Sequence, residues 1–113
     1  MKIGRHEQGS VTVIEPKGKI TIGEGDVLLR EEISKLLAEN KKQLVLDLSG
    51  VSYMDSAGVG ELVSVYTSVK NRGGDLKLSC LTKKIKDLLQ ITQLMTIFET
   101  FETTGEAISS FSS

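Results

Sequence analysis

The stretch Leu44-Val45-Leu46-Asp47-Leu48 is apolar at every position but Asp47, so a strand built from it buries side chains on both faces. A strand covered on both sides needs a central place in a sheet with other elements packed above and below it. Its flanks supply candidates. Upstream, Leu29, Ile33, Leu36 and Leu37 recur at helical spacing, with Arg30, Glu31, Glu32 and Lys35 on the opposite face. Downstream, Val59, Leu62, Val63, Tyr66 and Val69 form a second helical stripe that Gly73-Gly74 stops.

Extending the reading in both directions gives alternating strands and helices. Val11-Thr12-Val13-Ile14 and Lys19-Ile20-Thr21-Ile22 predict one or two strands bent near Pro16-Lys17-Gly18, and residues around Ile3 a short edge strand. Gly23-Glu24-Gly25-Asp26 reads as a loop with Asp26 as the N-cap of the first helix, which should end near Asn40. Ser49 to Met54 reads as a connector. Leu76, Leu78 and Cys80 alternate with Lys77 and Ser79, predicting a strand with one solvated face and an inward Cys80. Thr82 should cap a third helix bearing Ile85, Leu88 and Leu89. A short strand is expected around Ile97 to Phe101, and Thr103-Thr104-Gly105-Glu106 has the pattern of a capping box. The order implies an α/β fold with a largely parallel sheet, whose strand-to-helix junctions at 22–26 and 50–60 share one rim.

Composition excludes several functions. With 113 residues the chain is of single-domain size, and an aliphatic core is required because aromatics make up 4% and Trp is absent. Fourteen basic and fifteen acidic residues leave a net charge of -1, which gives no general attraction for nucleic acid or an anionic membrane. One cysteine, Cys80, forms no internal disulfide, and neither a signal-peptide core nor a membrane-length apolar run is evident, so a cytoplasmic location is expected.

Catalytic readings fail on their parts. Ser56 has no Gly-x-Ser-x-Gly context, since position 54 is Met, and the single histidine, His6, is near the N-terminus. One His and one Cys make no zinc site, and Gly58-Val59-Gly60 lacks the rest of a phosphate loop. No cofactor and no enzymatic activity are expected; Tyr66, Met54 and Met95 read as packing. What remains is Asp55-Ser56-Ala57-Gly58. Ser and Asp are preferred helix caps, so a purely architectural role accounts for them. The same place also suits a switch. Phosphate on Ser56 would add about -1.5 to -2 charges at the positive end of a helix dipole, altering the surface while the helix tolerates it.

The run Leu46-Asp47-Leu48-Ser49-Gly50-Val51-Ser52-Tyr53-Met54-Asp55-Ser56-Ala57-Gly58-Val59-Gly60 resembles the signature of STAS domains, and more narrowly is similar to bacterial anti-sigma factor antagonists. The resemblance extends over nearly the whole chain. It implies a single STAS-type domain over residues 1–113, with a mixed, mostly parallel sheet of about four to five strands and about four helices. It implies that the unphosphorylated protein binds an anti-sigma factor that is itself a serine kinase, a histidine-kinase-like ATPase, and so frees a sigma factor. That kinase would phosphorylate Ser56 and a serine phosphatase would reset it. Asp55 would orient the site and Gly58 would admit the partner. Ile22, Gly23, Glu24, Gly25 and Asp26, with Ala57, Val59, Gly60 and Glu61, would complete the partner surface. Ala57 stands where many phosphorylated members have Ser or Thr, and Glu61 where sigma antagonists are often apolar. A second reading stays open, a STAS module serving as a subunit of a transport or signalling complex. The implied state is a monomer or weak homodimer, with the N-terminal strand free to pair with another copy.

Overall fold

In the computed structural model, which describes residues 1–112, the apolar run forms a strand at the middle of the sheet. The elements are β1 (Lys2–Gln8), β2 (Val11–Ile20), α1 (Gly25–Ala38), β3 (Gln43–Asp47), β4 (Val51–Met54), α2 (Ser56–Asn71), β5 (Asp75–Ser79), α3 (Lys83–Ile91), β6 (Thr100–Phe101) and α4 (Thr104–Ser110). The sheet order is β1-β2-β3-β5-β6, with β4 paired to β2. All pairings are parallel except β1 with β2. This is the expected α/β class with its four helices, and the sheet has six strands.

The two faces of β3 explain its composition. Leu44 and Leu46 join Ile14, Ile20, Leu76 and Leu78 in the larger core with buried residues of α1, α2 and α3. Val45 joins Val11, Val13 and Ala107 in a second core, capped by Phe101, Ile108 and Phe111 around α4. Helix α4 begins with the expected capping box of Thr103 and Glu106, and Thr82 caps α3 by accepting from the Ile85 amide at 3.3 Å.

Several local expectations give way to tertiary contacts. The connector 49–54 contains β4, which exists because Gly18, Lys19 and Ile20 continue β2 beyond the end of β3 and offer it a free edge. As expected near Pro16-Lys17-Gly18, β2 is one strand with an irregularity, Gly18 having a φ of 115° and the register with β4 shifting after it; Pro16 pairs with Ile3 of the edge strand β1, which is seven residues long rather than short. Helix α1 begins at Gly25, not after Asp26, and Glu24 is its N-cap without a side-chain bond. A Cβ on Gly25 would lie 2.3 Å from the Lys19 carbonyl oxygen, so close packing on β2 sets that start. Asp26 lies in the first turn, its carboxylate accepting from the Val27 amide at 2.7 Å.

β5 is covered on both faces, contrary to the expected solvated side. Lys77 and Ser79 are buried because α4 lies over them. The Lys77 ammonium donates to Ser110 Oγ at 2.7 Å and stands 4.4 Å from the Phe111 ring centre, while Ser79 and Thr104 share a hydroxyl bond of 2.8 Å. Cys80 lies past the strand end with a left-handed φ of 56°, half-buried, rather than inward on it. β6 is limited to Thr100–Phe101, and Phe98 instead meets Tyr66 edge-to-face at 5.0 Å. The expected domain end at Ser113 lies outside the described residues. Among them, no helix is long and apolar enough to cross a membrane.

Candidate functional site

The junction of β4 with α2 is organised by Asp55. Its Oδ1 accepts from the Gly58 amide at 2.8 Å, capping the helix, and its Oδ2 accepts from the Ile22 amide at 3.1 Å. These two backbone bonds, Gly58 first, hold the Asp55 carboxyl below the usual aspartate range because they stabilise its charged form. Asp55 is thus the cap, and Ser56 is the first helical residue.

That assignment determines what Ser56 presents. Its side chain is exposed, and among the described residues nothing bonds to its hydroxyl. It stands at the N-terminal end of a 16-residue helix, where unsatisfied amides and the macrodipole favour negative charge.

The loop after β2 lies beside it. Ile22 is 74% exposed, Gly23 has a left-handed φ of 85°, and the Glu24 carboxylate reaches the N-terminal ammonium at 3.5 Å. Gly25 and Asp26 turn inward, while Ile22, Gly23 and Glu24 face solvent. Sequence reasoning placed both segments on one rim; the bond between Ile22 and Asp55, 33 residues apart, is what joins them.

The residues of α2 divide sharply. A Cβ on Gly58 would fall 2.1 Å from the Ile20 carbonyl oxygen, so the space beside Gly58 is filled by the chain's own β2. Gly60 has open space where a Cβ would be, and Ala57 is half-buried. Val59 packs into the core. Glu61 is only 9% exposed and faces α1, where Arg30 Nε donates to its Oε1 at 3.1 Å; among the described residues Oε2 has no hydrogen-bond partner. The Arg30 pairing has no local signal, since the two residues are 31 apart and meet only when α1 packs on α2. Among the described residues no cluster of His, Cys, Asp or Glu is placed to hold a metal.

Comparison with known proteins follows the same lines. A family model, the STAS domain, matches residues 2–107. An anti-sigma-B factor antagonist of Bacillus subtilis is 42% identical over 81 residues, covering 68% of this chain and 73% of that protein. The chain is a STAS domain of the anti-sigma factor antagonist family. This STAS domain shares its fold with a putative anti-sigma factor antagonist from Thermotoga maritima, at a TM-score of 0.88 and 24% identity over 96% of this chain and 92% of the other. It shares it also with the Bacillus cell fate determinant SpoIIAA in its phosphorylated form, at a TM-score of 0.75 and 19% identity over 97% and 99% of the two chains.

Proposed function

We propose that this STAS domain, acting as one unit over residues 1–113, is a phosphorylation-controlled antagonist of an anti-sigma factor. Unphosphorylated, it binds a histidine-kinase-like anti-sigma factor in the cytoplasm and releases a sigma factor. The kinase then modifies Ser56, binding is lost, and a serine phosphatase restores it. The chain performs no catalysis in this cycle; Ser56 is the substrate.

The observation that carries this reading is the exposed, unbonded Ser56 hydroxyl next to a cap that already satisfies the helix. A serine needed as the cap would be tied to an amide, whereas here Asp55 fills that role and leaves the hydroxyl accessible. A phosphate on Ser56 would sit beside the Asp55 carboxylate and the exposed Ile22 side chain, giving a dianion where a partner would otherwise meet a small hydroxyl. The phosphorylated form in which one relative was solved supports the same reading.

Incubation with each encoded kinase of this type and ATP, followed by intact mass measurement, tests it. The expected result is one phosphate on the wild type and none on Ser56→Ala. No mass gain with any such kinase would end the proposal. Ser56→Asp is expected to lose most of its kinase binding.

A further inference from the structure

The outer face of the sheet is covered on one side only. Helix α4 packs on β3, β5 and β6, and its apolar cluster reaches β2 as far as Val13. Beyond that point, among the described residues, no helix covers the outer face of β1, β2 and β4.

The pairing register defines what this bare area displays. Lys2 lies opposite Lys17, Gly4 opposite Glu15, and Lys19 opposite Tyr53. Lys2 and Lys17 share a face by direct pairing; the register with β4 shifts between Gly18 and Lys19, and beyond the shift Ile20 and Met54 turn into the core, which leaves Lys19 and Tyr53 exposed on the same side as Lys17. The 3.0 Å contact of His6 Nδ1 with Glu15 confirms the alternation, since it joins two other members of the same face. All three lysines are exposed, and Tyr53 is 45% exposed.

Three features set this patch apart. Among the described residues none of the three lysines has an ion-pair partner, whereas seven of the eleven other lysines and arginines do: Arg5, Arg30, Lys41, Lys70, Lys77, Lys83 and Lys86. The carboxylate on the face, Glu15, is engaged by His6. Lys2 and Lys17 are also like charges directly opposite one another, an arrangement that weakens a sheet. The positive charge is local, because the whole chain carries a net charge of -1.

We propose that this face docks an acidic segment of a partner protein, laid in extended form across β2 with carboxylates toward Lys2, Lys17 and Lys19. An extended segment repeats its side chains every second residue, roughly 7 Å apart, so alternate carboxylates can face successive lysines of β2. Charge complementarity of this kind acts over a short range and does not require a basic protein. Single-stranded nucleic acid fits less well, since an open sheet that reads RNA stacks two or three bases on aromatics and this face offers Tyr53 alone.

The test uses the full chain at low salt with a fluorescent glutamate-rich peptide, and in parallel a short oligouridine and phosphatidylserine vesicles. The peptide should bind, and Lys2→Ala/Lys17→Ala/Lys19→Ala should lower its affinity by about tenfold. The control Lys35→Ala/Arg72→Ala/Lys84→Ala, equal in charge change and drawn from exposed basic residues elsewhere, should leave it unaltered. Absence of peptide binding, equal loss in the control, or tighter binding to the oligonucleotide or vesicles would overturn the proposal. Lys17→Glu supplies a second readout: a carboxylate opposite Lys2 should raise the thermal midpoint while abolishing peptide binding. A lowered midpoint would overturn the claim that the lysine pair is kept at the expense of the sheet.

Discussion

The Asp55 carboxylate accepts the Ile22 amide at 3.1 Å while it caps α2 through Gly58, so one side chain ties the loop after β2 to the helix that begins with Ser56. Removing the carboxylate should free both. Asp55→Ala is expected to speed hydrogen exchange at the Ile22 and Gly58 amides well before global unfolding, with protection elsewhere in the sheet unchanged. Native-state exchange by NMR checks it.

The same bonds fix a pH dependence. They lower the folded-state pKa of Asp55 below its unfolded value, so the folded state binds its proton less readily. Their contribution to stability is complete above about pH 4, the ordinary aspartate range, and fades as pH falls further toward the depressed value. Asp55→Asn should therefore lose stability at neutral pH and show a shallower fall in acid. Denaturant midpoints from pH 7 down to about pH 2 would reveal an unchanged acid limb if the bonds were unimportant.

Two glycines of α2 should respond oppositely to one methyl group. Gly58→Ala places a Cβ 2.1 Å from the Ile20 carbonyl oxygen and 2.7 Å from Met54 Cγ, forcing α2 away from β2. A loss of about 2–3 kcal/mol or more is expected. Gly60→Ala meets open space and should stabilise the helix by up to about 1 kcal/mol. Urea denaturation of the two variants separates these outcomes.

The pair between Arg30 and Glu61 is asymmetric, with a buried carboxylate and a guanidinium side chain that is 54% exposed. Losing Arg30 strands a buried charge, while losing Glu61 returns Arg30 to water. Arg30→Leu is expected to cost about 1–2 kcal/mol, whereas Glu61→Leu is expected to be neutral or stabilising. Equal destabilisation of both variants, measured by chemical denaturation, would contradict this account.

Charge at Ser56 should leave the fold alone. Ser56 touches no other described side chain through a hydrogen bond and lies where the helix favours an anion. Ser56→Asp is expected to keep the far-UV circular dichroism spectrum and to hold the thermal midpoint within a few degrees.

Periodicity and capping chemistry act over a few residues, and for that reason the sequence alone determined much of this protein. The two-faced strand Leu44–Leu48, the helical stripes of α1 and α2, the Thr82 cap and the Thr103–Glu106 box are all visible as spacing. So is the rim that brings residues 22–26 near Asp55-Ser56. What only the tertiary structure decided are matters of long-range contact. β4 forms because β2 outruns β3, and Lys77 and Ser79 are buried because α4 returns over β5. Asp26 yields the start of α1 to Gly25 because β2 leaves no room for a Cβ there. The second oxygen of the Asp55 cap found Ile22 across 33 residues. Local sequence specifies an element by its own propensities. A helix end is satisfied by side chains a few residues away, whereas the bonds that join distant segments, such as Ile22 to Asp55, depend on neighbours that arrive only when the sheet closes.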